Sequence, residues 1–368
     1  MPEYSSKIKE LEDRIANTAY NKKTQHAIGQ YKAQIAKLKE KDEARSSKKG
    51  SSEGYQVRKT GDGTVILLGF PSVGKSTLLN SLTNAESEVG AYAFTTLTVV
   101  PGSMEYKHAK IQILDVPGIV HGAASGKGRG REVLATIRNA DLVLILLDAL
   151  HPEHHDVILK EIKDTGVRIN EKKPDVKIVK KAKDGISVGS TVALHHIDEE
   201  TVKSVLHEFK ISNADVVIRS DITIDQFIDC VEGNKKYLSS LLVLNKIDLV
   251  KPEKLKKLKK ELNPDLCISA QKDDHIDELK EAIFQKLDLI RIYMKEPGKD
   301  ADTQIPLIAF RNSTIRDICN KLHRDFSDKF KFARVWGPST KFGGQKLMLD
   351  HPLKDTDILE LHMRYDIF

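Results

Sequence analysis

Gly69-Phe-Pro-Ser-Val-Gly74-Lys75-Ser76-Thr77 follows the apolar run Val65-Ile-Leu-Leu68 and leads directly into Leu78-Leu-Asn-Ser-Leu82. The stretch fits G-x-x-x-x-G-K-[ST], with a strand expected before it and a helix after it. Glycines at its two ends let backbone N–H groups curl around phosphate oxygens. Lys75 supplies a point charge for the β and γ phosphates, Ser76 a hydroxyl for Mg²⁺, and the helix that follows points its positive end at the anion. The sequence is therefore expected to be built around a nucleotide phosphate site.

Three further motifs follow in order. Asp115-Val-Pro-Gly118 ends the apolar run Ile111–Leu114. An acidic residue there is placed to hold Mg²⁺ through water, and the Gly118 amide can bond a γ phosphate and lose that bond on hydrolysis. Asn245-Lys-Ile-Asp248 ends the run Leu241–Leu244. A carboxylate at Asp248 accepts from the N1–H and exocyclic amine of guanine, whereas adenine presents a bare acceptor at N1, so the motif selects guanine. Ser269-Ala270-Gln271 comes next and supplies a backbone amide for guanine O6. Between the first two motifs lies AYAFTTLTVVPG, where Thr96 is the candidate hydroxyl for Mg²⁺ when a γ phosphate is present and Thr95 is its rival.

The expected nucleotide contacts are thus Gly69, Phe70, Pro71, Ser72, Val73, Gly74, Lys75, Ser76 and Thr77, then Asp115, Val116, Pro117, Gly118 and Ile119, then Asn245, Lys246 and Asp248, then Ser269, Ala270 and Gln271. Lys75, Thr96 and Gly118 are the candidates for catalytic roles. Ser76, Thr96 and Asp115 are the candidates for the metal, Asp115 through water.

Around these motifs the chain of 368 residues has room for two or three domains. Its 40% hydrophobic and 30% charged content excludes a disordered chain. The longest apolar run, Leu142–Leu147, is far short of the roughly 20 residues a membrane span needs. The polar first thirty residues carry no apolar signal segment, so a cytoplasmic protein is expected. Cys230, Cys267 and Cys319 are far apart and form no CxxC, which reads as free thiols in a reducing compartment. Of the net charge of +6, residues 1–50 hold +5, from 12 Lys or Arg against 7 Asp or Glu. A basic arm on a near-neutral body suits a polyanion such as RNA, or simply a solvated lysine face.

Helical spacing runs over residues 6–43, with a turn in NTAYNKKTQHAIGQ, so residues 1–49 read as a basic helical hairpin ahead of the polar linker 46–54. Strands are expected at 65–70, 111–116, 142–148, 241–246 and 267–270, with helices at 75–83, 130–139, 252–262 and 276–290. Near-continuous apolar strands between helices imply a largely parallel sheet buried on both faces, over 62–291. The interval 165–236 is too long for one crossover and reads as an inserted small α+β subdomain. After Pro297 a strand, a helix and several strands suggest a second small α+β module, over 292–368. The fold class is therefore α/β.

In this order the motifs resemble translation-factor-class GTPases. YAFTTLTVVPG is similar to the YPFTTLxPxxG of the Obg family, and DVPGIVHGAASGKGRGRE to that family's glycine-rich second switch. The tail from Gln304 resembles a TGS domain, a β-grasp module. Together with the basic helical N-terminus and the insertion, the whole chain resembles the DRG family, the developmentally regulated GTP-binding proteins. The resemblance implies a Ras-like G domain of the Obg type, an inserted domain like domain 2 of ribosomal protein S5, GTP hydrolysed to GDP with Mg²⁺, a cytoplasmic location, and association with ribosomes and ribosomal RNA. It also implies a stabilising partner protein, at least among eukaryotic members. No DNA or membrane partner is expected, and no heptad run forces a dimer, so a monomer is expected.

Two departures bear on hydrolysis. Ile119 stands where Ras-type enzymes carry the glutamine that orients the attacking water, so intrinsic hydrolysis is expected to be slow unless a partner or another group supplies the missing stabilisation. Some relatives use K⁺ for this, held partly by a loop asparagine. Ser72 stands there in this chain, a shorter oxygen ligand that leaves K⁺ activation open. Lys127, Arg129 and Arg131 could act as a cis cation, bind RNA, or be solvated loop charges. Trp336, Phe330, Phe332 and Phe342 read mainly as the core of the C-terminal module, with base stacking as the alternative. His151, His154 and His155 resemble a metal site only loosely. The functional expectation is a ribosome-associated GTPase switch in translation. The alternative is a nucleotide-stabilised scaffold with negligible turnover that binds RNA or protein.

Overall fold

The computed structural model describes residues 2–19, 21, 24–47, 61–83, 100–115, 137 and 139–364. The candidates Thr95, Thr96, Val116, Pro117, Gly118, Ile119, Lys127, Arg129 and Arg131, and nearly all of the expected helix 130–139, lie outside the described residues. The chain divides into two compact units. One holds the N-terminal helices and residues 162–237; the other holds the elements of 61–161 and 238–364.

The second unit begins with β1 (Gly63–Leu68), α3 (Lys75–Leu82), β2 (Val100–Tyr106), β3 (Ala109–Asp115) and β4 (Leu142–Asp148). After α4 (His154–Asp164), β9 (Lys236–Asn245), α7 (Pro252–Leu262), β10 (Leu266–Cys267) and α8 (Ile276–Lys286) continue it. Its strands run in the order β10-β9-β4-β1-β3-β2. All pairings along that path are parallel except β2 with β3. Every residue of β1 and β4 is buried, as a sheet covered on both faces requires. The register sets Leu67 beside Asp115 and Asp148 beside Asn245. The polar ends of three strands are thereby collected along one edge, where ligands of such sheets bind.

The helix expected over 276–290 ends at Lys286, and Leu289–Lys295 is a strand instead. Asp288 turns the chain with φ 56°, and the alternation Ile290-Arg-Ile-Tyr then follows a period of two. The strand expected at 267–270 shrinks to Leu266–Cys267, because Ser269 already bridges back to Asp274.

The strand β11 (Leu289–Lys295) opens a second sheet with β12 (Leu307–Phe310), β13 (Phe330–Trp336), β14 (Gln345–Leu347) and β15 (Asp357–Met363), in the order β12-β11-β15-β13-β14. The helix α9 (Ile315–Leu322) starts on a capping box made by Thr314 and Asp317. Its Ile315, Ile318 and Cys319 join Ile290, Ile292, Phe330, Ala333, Val335 and Leu359 in one core. A bulge between Phe330 and Phe332 breaks the alternation of β13.

In the first unit, α1 (Pro2–Ala16) and α2 (Gln25–Ser47) form the expected pair of helices. The interval 165–236 contributes β5 (Val167–Ile169), β6 (Val176–Lys180), β7 (Ile186–Ser190), α5 (Glu199–Glu208), β8 (Ala214–Ile218) and α6 (Ile224–Glu232). The strands β6-β8-β7 form their own sheet, and its core of Val202, Val205, Ala214, Val216, Ile224 and Phe227 includes Ala33 of α2. Three lysines of the basic arm are used internally. Lys32 pairs with Asp225 at 2.7 Å, Lys39 lies 3.7 Å from Asp164, and Lys37 donates to the carbonyl of Glu208 at the end of α5. Part of the arm's charge therefore serves docking within this unit. Among the described residues no helix is long and apolar enough to cross a membrane, and the three cysteines are free thiols.

Candidate nucleotide site

The phosphate loop is shaped by two left-handed residues, Ser72 at φ 63° and Gly74 at φ 100°. A Cβ on Gly74 would lie 2.6 Å from Asn245 Nδ2, and one on Gly69 would lie 2.6 Å from the Leu146 carbonyl. Gly69 is therefore required by close backbone approach, and Gly74 by its left-handed conformation together with the packed Asn245 amide. The helix α3 begins with no side-chain cap, leaving its first N–H groups directed into the loop. Ser76 and Thr77 are exposed on this first turn, Pro71 and Ser72 are exposed on the loop, and Val73 and Phe70 anchor it in the core.

Lys75 Nζ donates to the carbonyls of Gly69 and Phe70, each at 3.0 Å, folding the ammonium back over the loop. Burial lowers its pKa, opposed by the charge of Asp115. Burial likewise pushes the Asp115 carboxyl up, opposed by Lys75. Asp115 is 8% exposed and its Oδ1 has no hydrogen-bond partner among the described residues. A buried carboxylate oxygen without a hydrogen-bond partner at the end of β3, facing the charge of Lys75, and the exposed hydroxyl of Ser76 are hard-oxygen donors of the kind that fit Mg²⁺. Among the described residues no cluster of three His, Cys, Asp or Glu side chains could hold a metal by itself.

The base-reading elements are tied to this loop. Asn245, 2% exposed, donates from Nδ2 to the Val73 carbonyl at 2.9 Å and accepts at Oδ1 from the Ala270 amide at 3.0 Å. Lys246, at φ 62°, donates to the Ser72 carbonyl at 2.6 Å and to Asp148 Oδ2 at 2.7 Å. Asp248 Oδ1 accepts from the buried Ser269 hydroxyl at 2.7 Å. Ser81 of α3 donates to the Ala270 carbonyl at 3.2 Å, and Gln271 is exposed beside it. Loop, Asn-Lys-Ile-Asp segment and Ser-Ala-Gln segment thus form one hydrogen-bonded set, in which a guanine base reader sits next to a phosphate cradle.

Asp148 escaped the reading of the sequence, and His154, read there only as a loose metal resemblance, has a different place. Asp148 is 4% exposed; its Oδ1 accepts from the Leu150 amide at 2.8 Å while Oδ2 holds Lys246. An acidic residue ending the buried run Leu142–Leu147 was its signal, the same as for Asp115. His154 stacks on Phe70 with ring centroids 3.8 Å apart and planes 6° from parallel, and His151 stacks on His154 at 5.4 Å. The histidine cluster therefore packs against the phosphate loop.

The chain matches the model of 50S ribosome-binding GTPases over residues 64–182, the model of the C-terminal region of that domain over 183–289, and the TGS domain model over 290–363. It is 52% identical over 358 residues to an uncharacterized GTP-binding protein of Methanocaldococcus jannaschii, covering 96% of this chain and 91% of the relative. It is 44% identical to developmentally-regulated G-protein 3 of Arabidopsis thaliana, covering 96% and 97%. It is also 44% identical to developmentally-regulated GTP-binding protein 1 of Xenopus laevis, covering 97% and 98%. Fold, site and matches define a P-loop GTP-binding protein with a C-terminal TGS domain. The chain belongs to the developmentally regulated GTP-binding protein family.

Proposed function

We propose that the chain binds GTP through this site, hydrolyses it to GDP and phosphate, and works as a switch on the ribosome in the cytoplasm. The observation that carries the reading is the bridge made by Asn245, which holds the phosphate loop at Val73 and the base-reading loop at Ala270 with one buried amide. A pocket assembled before the ligand arrives spends little binding energy on ordering itself. Asp248 reads guanine, with Ser269 fixing the orientation of its carboxylate. The Ala270 amide, already donating to Asn245, is shared with guanine O6 when the base is bound.

Lys75 leaves the carbonyls of Gly69 and Phe70 for the β and γ phosphates. Mg²⁺ neutralises phosphate charge when bound, and Ser76 with Asp115, the latter through water, would hold it. Thr96 and the Gly118 amide order around the γ phosphate, and their release after hydrolysis is the switch. Ile119 supplies no hydrogen bond to water, so the activating group comes from outside the loop: K⁺, a cation of the Lys127–Arg131 stretch, or the ribosome. The ribosome is favoured by the match to 50S ribosome-binding GTPases.

Ile119 also favours a second reading, a scaffold in which bound nucleotide stabilises the fold and turnover is negligible. GTP turnover by the full chain in potassium buffer, with and without ribosomes, separates the two. Stimulation by ribosomes is expected; a negligible rate unchanged by ribosomes supports the scaffold and overturns the switch.

A further inference from the structure

The two halves of the phosphate loop are held by different means. On the second half, Lys246 donates to the Ser72 carbonyl at 2.6 Å and Asn245 to the Val73 carbonyl at 2.9 Å. On the first half, the carbonyls of Gly69 and Phe70 both accept from Lys75 Nζ, each at 3.0 Å. Lys75 is the side chain that a nucleotide draws away, because its ammonium serves the β and γ phosphates. Both carbonyls of the first half are then released together. A grip on this half that does not depend on Lys75 is the ring of Phe70, buried at 8% exposure.

The imidazole of His154 lies flat on that ring, at 3.8 Å and 6° from parallel. His154 is the first residue of α4, and Ile158, one turn further, is buried and fixes the helix face. The turn before α4 is tied to the site as well. The His151 amide donates to the Asp148 carbonyl at 3.0 Å, and the His154 amide to the His151 carbonyl at 3.3 Å. Asp148 is also the residue that holds Lys246. One short segment, Asp148–His154, therefore reaches the loop twice, through Lys246 on Ser72 and through His154 on Phe70. His154 Nδ1 is buried and has no hydrogen-bond partner among the described residues, so the ring meets the loop with its face and not through that nitrogen. A loop with left-handed residues at Ser72 and Gly74 keeps its shape only where its surroundings over-determine it.

We propose that His154 is a positioning residue for nucleotide binding: its ring clasps Phe70 and keeps the first half of the phosphate loop in shape once Lys75 has turned to the phosphates. It acts through Phe70 and touches no nucleotide itself. The stack is present with and without ligand, whereas the bonds from Lys75 to the loop carbonyls belong to the free protein. Losing the ring therefore weighs more on the bound state than on the free one, and it shows as weaker nucleotide binding before it shows as lost stability. GTP and GDP are affected alike, and the choice of guanine, made at Asp248, is untouched. A residue that merely filled space would be replaced without loss by an aliphatic side chain of similar volume. The inference rests on the reading of this loop as the GTP site and adds the residue that holds its first half.

The full-length protein is loaded with a fluorescent GDP analogue and Mg²⁺, and release is followed after a chase with unlabelled GDP. His154→Leu, which loses the π face, should release the analogue about 2- to 10-fold faster, the range an aromatic pair implies. The melting temperature of its nucleotide-free form should stay close to that of the wild type. His154→Phe, which returns a flat ring, should restore the release rate to within about 2-fold of the wild type. Phe70→Leu combined with His154→Leu should release no faster than the more impaired single variant, since both remove the same contact. Hydrogen exchange at the amides of Phe70, Ser72 and Val73 should quicken in His154→Leu with GDP bound and little without it. Wild-type release by His154→Leu, or fully additive effects of the two leucine variants, would overturn the proposal. So would a His154→Phe variant as impaired as His154→Leu, or a nucleotide-free form destabilised as much as the bound one, which would leave His154 a packing residue. A wild-type protein that does not retain the analogue would instead defeat the nucleotide reading, and this inference with it.

Discussion

The Lys246 ammonium lies 2.7 Å from Asp148 Oδ2, and the same nitrogen donates at 2.6 Å to the Ser72 carbonyl of the phosphate loop. The ends of two neighbouring strands, paired at Asp148 and Asn245, therefore fix the shape of a third element through one cation. Asp148 is 4% exposed, so removing its charge leaves the lysine without a counter-ion in a low-dielectric setting. Asp148→Asn should keep the hydrogen bond from the Leu150 amide and the fold, yet weaken both GTP and GDP about 5- to 100-fold, as loss of a buried charged hydrogen bond implies. Titration with a fluorescent GDP analogue reads this, and unchanged affinity would show that the pair does not position the loop.

Asp248 carries selectivity. Its carboxylate is oriented by the Ser269 hydroxyl, and an asparagine would still accept that bond while presenting an N–H to the guanine N1–H. Asp248→Asn should cost about 10²- to 10⁴-fold in GTP affinity and remove the preference over ATP, because a donor then faces a donor. A competition series of GTP against ATP measures it; an intact preference would mean that another group reads the base.

The motifs of the G domain were legible because each couples a short residue pattern to one chemical demand. Gly74 must be glycine at φ 100°, and Asn245 must be an amide to donate and accept at once. The same logic would have reached Asp148, whose place at a strand end is as plain as that of Asp115. What was not legible depended on events between strands. The bulge beside Phe332 reverses which aromatic is buried, and a run such as FKFARVW carries no local mark of it. The use of Lys32, Lys37 and Lys39 in docking is equally hidden, since the acidic and carbonyl partners lie far along the chain. Charge counting alone therefore did not show that part of the arm's charge is used inside the fold.

Asp115 should show a trade of stability against function. Its carboxyl is pushed up by burial, so the folded, nucleotide-free protein holds a proton more tightly than the unfolded chain. As pH rises from the ordinary carboxylate range to this raised folded value, the contribution of Asp115 to stability falls, then levels off. The shift of Lys75 is downward from 10.5 and acts at alkaline pH, outside that window. Asp115→Asn should remove the slope and raise stability at neutral pH by about 1 kcal/mol, since a carboxylate whose desolvation outweighs its attraction to Lys75 is deleted. It should also weaken Mg²⁺-dependent GTP binding. Urea denaturation at several pH values tests the first half; a variant with the wild-type slope would place the titration elsewhere.

Gly74→Ala should act through two clashes at once. The residue would be held at φ 100°, and its Cβ would meet Asn245 Nδ2 at 2.6 Å. Strain of this kind costs on the order of 1–3 kcal/mol. The relief available is to push Asn245 off the Val73 carbonyl, which breaks the bridge between phosphate loop and base reader. Nucleotide affinity should fall more than 10-fold with a modest drop in melting temperature. A variant that melts earlier but binds GDP normally would separate the glycine's structural role from the site.

The N-terminal hairpin offers a test in the other unit. Gly29 of α2 faces α5 and α6 so closely that an added Cβ would lie 2.7 Å from Thr201 Cγ2 and 3.8 Å from Ile224 Cγ2. With Ala33 four residues on, fully buried, it forms a small-residue seam that lets the helix approach the α+β core. Gly29→Leu should overpack this seam and cost about 1–3 kcal/mol, more than the gain of roughly 1 kcal/mol from helix propensity. Because Lys32–Asp225 and Gln25 to the His196 carbonyl lie on the same contact, the helix should detach as a unit, not shift locally. Amide hydrogen exchange would report this as faster exchange throughout residues 25–47 with the G domain unchanged. Wild-type protection in α2 would mean that the seam tolerates a large side chain and does not set the docking.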